Sequence, residues 1–171
     1  MTYTVSYSAG GKDTVVTVTS TEVKTKKLYE DAKMPTRGSA DAAGWDLYAY
    51  GYEGASGNWT LTIPPRSTVK INTGVSVSLP QGSFGGIYPR SGLATKQGLA
   101  PANKVGVVDS DYRGPLIVAL YNHSDLPQIV HKGDRIAQLI VQPYWDVSFT
   151  EVEELDDTER GAGGFGSTGS N

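Results

Sequence analysis

Short runs in which β-branched residues alternate with polar ones, each cut off by Gly, Pro, Asn or Asp, recur along the chain and constrain its fold more than any other feature. The clearest are Tyr3–Tyr7, Thr14–Thr19, Thr60–Ile63, Thr68–Asn72, Val75–Leu79, Gly85–Tyr88, Leu116–Tyr121, Arg135–Val141 and Val147–Val152. Breaks such as Pro64-Pro65, Pro80-Gln81-Gly82 and Lys132-Gly133-Asp134 separate them. Helical periodicity is nearly missing, and a short helix is expected only near Ser91–Lys96. Many short strands in 171 residues, about the length of one domain, predict an all-β sandwich, jelly roll or barrel around one core.

Composition then narrows the chemistry. Without cysteine there are no disulfides, thiolate nucleophiles or cysteine-ligated zinc. Two histidines, His123 and His131, are too few for a dedicated histidine metal site, so a general base is expected to be a carboxylate. Lys and Arg number 15 against 18 Asp and Glu, a net charge of −3 that argues against a nucleic-acid partner held through its phosphates. No apolar run approaches membrane-spanning length, and Met1 to Gly11 lacks a basic stretch followed by an apolar one. A soluble, cytoplasmic protein without membrane contact is expected, nuclear residence remaining open for a eukaryotic source.

Two segments stand apart from the alternating core. Residues 1–22 read as an added β-hairpin turning at Gly10-Gly11-Lys12-Asp13, most simply an edge that extends a sheet. Residues 156–171 are a tail with Gly at 161, 163, 164, 166 and 169, which reads as a fraying terminus except that Arg160 and Phe165 sit among its glycines. The core is expected over residues 23–155.

Four clusters could carry chemistry. Pro89-Arg90-Ser91-Gly92-Leu93-Ala94 follows a strand and opens the one expected helical turn, where unpaired N–H groups, a guanidinium and a hydroxyl suit an anion; an N-cap serine beside a solvated arginine explains the same residues. Gly106-Val107-Val108-Asp109-Ser110-Asp111-Tyr112-Arg113-Gly114 is dense in polar groups for a β-protein. If extended it puts Asp109 and Asp111 on one face, although a turn at Ser110 would undo that parity. In Lys132-Gly133-Asp134-Arg135-Ile136-Ala137-Gln138-Leu139, Asp134 and Arg135 read as a local ion pair. Gln138, placed inward with Ile136, needs a partner for its amide. Ala43-Gly44-Trp45-Asp46-Leu47-Tyr48-Ala49 sets a carboxylate against closely packed backbone.

Together AGWDLYA, PRSGLA, GVVDSDYRG, KGDRIAQL and RGAGGFGSTG, in this order and spacing, resemble the five motifs of the trimeric dUTP diphosphatase (dUTPase) family, from about Val23 to the C-terminus. The resemblance implies a jelly-roll-like all-β homotrimer with a flexible, Gly-rich C-terminal arm. It implies three sites built at subunit interfaces, and Mg²⁺-dependent hydrolysis of dUTP to dUMP and diphosphate. That reaction keeps uracil out of DNA and supplies dUMP for thymidylate synthesis. Carried over by motif, Asp109 would activate the attacking water, while Arg90, Ser91, Gly92 and Gln138 would hold phosphates. Asn103 with the backbone of Gly106, Val107 and Val108 would form a β-hairpin that takes uracil, and Tyr112 would stack on deoxyribose. Arg160 would hold the γ-phosphate, and Phe165, Gly166 and Ser167 would close over the nucleotide. Mg²⁺ would ride mainly on the substrate phosphates, with Asp46 touching its water shell. A deaminase of the same fold, a silent nucleotide sensor and a structural jelly roll are the competing readings; intact Asp109, Arg90, Gln138 and Phe165 favour the hydrolase.

Overall fold

The computed structural model describes residues 2–9, 12–19 and 21–164. In chain order they form β1 (Thr2–Ala9), β2 (Lys12–Thr19), β3 (Lys24–Lys27), β4 (Thr36–Arg37), β5 (Trp45–Tyr48), β6 (Thr60–Ile63), β7 (Thr68–Asn72), β8 (Val75–Ser78) and β9 (Ser83–Tyr88). The single helix among the described residues, α1 (Ser91–Gln97), follows, and then β10 (Leu99–Pro101), β11 (Gly106–Val108), β12 (Ile117–Asn122), β13 (Gln128–His131) and β14 (Arg135–Pro143).

Alternation in the sequence becomes alternation in burial. β12 turns Val118, Leu120 and Asn122 inward and leaves Ile117, Ala119 and Tyr121 less covered. It lies antiparallel between β10 and β7, with Val118 opposite Ile71. The larger sheet runs β11-β9-β14-β5-β4, and β13-β6 and β3-β8 pair separately. Leu47, Ile63, Ile71, Val75, Ile87, Leu120, Val130, Ile136 and Leu139 bring the apolar faces of these four strand groups into one core, a jelly-roll-like arrangement. Buried Asn122 is accommodated because its Nδ2 donates to the carbonyls of Ile63 (3.0 Å) and Leu126 (2.8 Å) while its Oδ1 accepts from the Ser124 N–H (2.9 Å).

Three expectations need correction. The N-terminal hairpin pairs β1 with β2 but extends no other sheet. Val147–Val152 is irregular rather than a strand: Trp145, Val147 and Phe149 alternate as a strand would, yet are 90%, 62% and 97% exposed, because no edge among the described residues pairs with them. Among the described residues, Pro143 is therefore the last in a regular element. A bulge between Arg135 and Ala137 puts Ile136 and Ala137 both in the core and turns Gln138 to the other face, against the parity expected from Ile136. Beyond these, β3, β4, β10, β11 and β13, of two to four residues each, do not stand among the alternating runs read from the sequence.

Candidate active site

The first concentration of candidate residues lies beside β11. Asn103 sits in the turn that joins β10 to β11, but those strands do not pair with each other: β10 bonds to β12 and β11 to β9. The expected uracil hairpin is thus split between two sheets. β11 has a strand neighbour on one side only, so one backbone edge of Gly106–Val108 is open, as a planar hydrogen-bonding ligand requires. A cavity of about 200 Å³ runs here, lined by Ile87, Asn103, Gly106, Val107, Val108, Asp109, Tyr112, Pro115, Leu116 and Ile117. That is several times a water's share of about 30 Å³ and below the roughly 300 Å³ of a drug-sized site, a scale suited to one small ring. A Cβ at Gly106 would stand 3.0 Å from Asn103 Nδ2 and 3.3 Å from Ile87 Cβ, so a side chain there would press these two neighbours back by a few tenths of an ångström.

A turn lines one part of this cavity. The Tyr112 N–H donates to the Asp109 carbonyl (3.2 Å), so Ser110 does break the strand and Asp109 and Asp111 no longer share an extended face. Arg113 braces the turn by donating to the carbonyls of Ser110 (2.7 Å) and Tyr112 (2.9 Å). The Tyr112 hydroxyl donates to the Pro115 carbonyl (3.1 Å) and leaves the ring 44% exposed. The Asp109 carboxylate is exposed and has no hydrogen-bond or ion-pair partner among the described residues.

The second concentration is tied by side chains. Asp46, 7% exposed on β5, accepts from Arg90 Nε (2.6 Å) through Oδ1 and from an Arg135 Nη (3.1 Å) through Oδ2. Arg135 therefore does not pair with Asp134, whose carboxylate accepts from the His131 N–H (2.7 Å) instead. Sequence reading missed Arg135 for this reason: its near neighbour offered a partner, and nothing local points to a carboxylate 89 residues away. Gln138 stands opposite both Asp46 and Tyr88, and its Nε2 donates to the Pro89 carbonyl (2.8 Å). The partner its amide needs is thus present within the chain. Gly44 permits this, since a side chain at that position would run into Gln138 Oε1. Ser91 is the first residue of α1 rather than its cap; Arg90 is the cap residue, extended at φ −91° and ψ 129°, and makes no side-chain capping bond. The first N–H groups of α1 and the Ser91 hydroxyl are therefore not used in capping.

The register separates the two concentrations. Gly106 pairs with Ile87 and Val108 with Gly85, so Asp109 follows at the level of Phe84, while Arg90 lies beyond Tyr88 at the other end of β9. Phe84 to Tyr88 alone spans about 13 Å at roughly 3.3 Å per residue. Arg160 joins neither group: its Nε donates to the Gly163 carbonyl (2.8 Å) in an exposed local turn. Phe165, Gly166 and Ser167 lie outside the described residues.

Residues 30–169 match the model of the dUTPase family. The chain belongs to the dUTPase family. It is 46% identical over 147 residues to the deoxyuridine 5'-triphosphate nucleotidohydrolase of Oryza sativa subsp. japonica, covering 86% of this chain and 80% of that protein. Among solved structures it is similar to the dUTPase of Staphylococcus bacteriophage 80alpha with dUPNHPP (TM-score 0.73, 29% identity, 88% of this chain and 99% of that one). It is also similar to a dUTPase variant from phage phi11 of S. aureus with a structural Mg(II) ion (TM-score 0.65, 26% identity, 78% and 98%). This dUTPase is accordingly a hydrolase, of a family in which trimers are characteristic. Among the described residues no three His, Asp or Glu side chains gather into a metal cage, and no helix is long and apolar enough to cross a membrane. The two guanidiniums on Asp46 each take one position on a carboxylate oxygen, and such an oxygen offers about two, so a hydrating water of a phosphate-bound cation still has an acceptor there.

Proposed function

We propose that this dUTPase hydrolyses dUTP to dUMP and diphosphate by attack of an Asp109-activated water on the α-phosphorus. The observation that carries the reading is the small cavity in which the open edge of β11, Tyr112 and the partner-free Asp109 carboxylate meet. Asn103 and the backbone of Gly106, Val107 and Val108 take the polar edge of uracil. The Tyr112 ring lies under deoxyribose and leaves no room for a 2′-hydroxyl. Asp109 accepts the proton of the attacking water, the bond from the α-phosphorus to the bridging oxygen breaks, and diphosphate leaves. Arg90, Ser91, Gly92 and Gln138 hold the phosphate chain, as anchored donors around developing negative charge should. When bound on the triphosphate, Mg²⁺ neutralises charge, and Asp46 would meet it only through water.

The homotrimer characteristic of the family suits the same geometry. A nucleotide with its base near Asn103 and its α-phosphate at Asp109 points its phosphates away from the Arg90 of its own chain, so a second copy must supply the phosphate-binding residues. In this proposal residues 1–22 are an extension, 23–155 the catalytic core and 156–171 an arm. From the arm, Arg160 meets the γ-phosphate, and Phe165, with Gly166 and Ser167, covers the base of another subunit's site and excludes water. An intracellular setting suits a nucleotide substrate and a product destined for thymidylate synthesis. Diphosphate release from dUTP, dTTP, dCTP and UTP, measured side by side, tests the reading: release from dUTP alone is expected. Equal release from UTP, or ammonia instead of diphosphate, would overturn it.

A further inference from the structure

Asp46 is the only ionisable side chain buried among residues 21–164, and one guanidinium would suffice to balance it. It has two. Arg90 reaches one carboxylate oxygen and Arg135 the other, from positions 44 and 89 residues away in sequence, and the cluster is left with one surplus positive charge. Arg90 spends its Nε on Asp46, so its two terminal nitrogens have no partner among the described residues, and its side chain is 26% exposed. Arg135 is 50% exposed and donates through one Nη only. A lone Asp46–Arg90 pair would be neutral, and the carboxylate would compete with any incoming phosphate for the same guanidinium.

Resting on the hydrolase reading above, we propose that Arg135 is a positioning residue of the phosphate site. It draws on the Asp46 charge, so that Arg90 is held by its Nε edge yet keeps its full charge and its terminal fork for a linear oligophosphate. Gln138 is fixed in the same place by its register opposite Asp46 and Tyr88, so the fork and the amide share one rigid setting.

Inorganic tripolyphosphate is the probe, because it tests the cation cluster without the base. Arg135→Gln should weaken its binding, read by titration calorimetry, about tenfold, as loss of a charge-assisted contact does. Arg135→Lys, which restores the charge, should bring affinity back to within about threefold. The KM for dUTP should rise in step while kcat and the melting temperature stay nearly constant, a split that a merely structural arginine would not produce. If Arg135→Gln does not fold, Arg135→Met must show the same loss. Unchanged tripolyphosphate affinity, equal loss in the Lys variant, or a kcat that falls with the melting temperature would overturn the proposal. The two readings fail separately. Tripolyphosphate binding that depends on Arg135 in a protein inactive on dUTP would sink the hydrolase alone. An active dUTPase indifferent to Arg135 would sink only this inference.

Discussion

The two halves of the proposed site are built by opposite means. The Asp46 cluster is made of long-range side-chain bonds, between residues on β5, β14 and the start of α1, that hold each polar group in one place before any ligand arrives. The cavity beside β11 is made of backbone and local turns, and its principal carboxylate, Asp109, is bonded to nothing among the described residues. In the mechanism proposed above, the difference matches what each half would do. Phosphate recognition gains from donors fixed in advance, whereas a base must be free to take a proton from water. Stability and activity should therefore respond separately in the two halves.

The largest effect, and the sharpest way to break this comparison, is Asp109→Asn. Turnover should fall by about 10²- to 10⁴-fold while the melting temperature and dUTP affinity barely change, because the amide keeps the shape but accepts no proton. A variant within about tenfold of wild type would remove Asp109 as the base. Gly44→Ala should touch both properties. Its Cβ displaces Gln138, so kcat/KM should drop by up to about 10²-fold, the scale of a 1 Å misplacement, with about 1–3 kcal/mol lost in chemical denaturation. Loss of activity with full stability would show that Gln138 yields easily and that the cluster is less rigid than its bonds indicate.

Tyr112→Ala should have a smaller effect, raising activity on UTP relative to dUTP by about tenfold, the scale of one packing discrimination. A constant ratio would assign the ring to bracing the Asp109 turn. The smallest effect lies outside the site. The Lys132 ammonium and the Tyr50 hydroxyl, both bonded to Asp31, hold its carboxyl below the usual carboxylate range, and the same contact raises Tyr50. A lowered folded-state value stabilises above the unfolded pKa near 3.8, and the contribution is lost as pH falls through the folded value. Asp31→Asn should thus lower the melting temperature slightly at neutral pH and not at all in strong acid. A difference that persists in acid would mean that Asp31 acts through packing.

What the sequence determined by itself was local. Alternation placed β6 and β7 residue for residue and β12 to within one, and Pro89-Arg90-Ser91-Gly92 marked the opening of α1, because period and turn chemistry are written in neighbouring residues. The residue types of the five motifs likewise fixed the family, since each is contiguous. Only the tertiary structure decided that Asp46 bridges Arg90 and Arg135, that a bulge turns Gln138 out of the core, that β10 and β11 enter different sheets, and that Asp109 and Arg90 end up at opposite ends of β9. Each of these joins residues far apart in the chain, and such pairings depend on sheet register and side-chain reach, which leave no period in the sequence and can be masked by a nearer partner, as Asp134 masked the partner of Arg135.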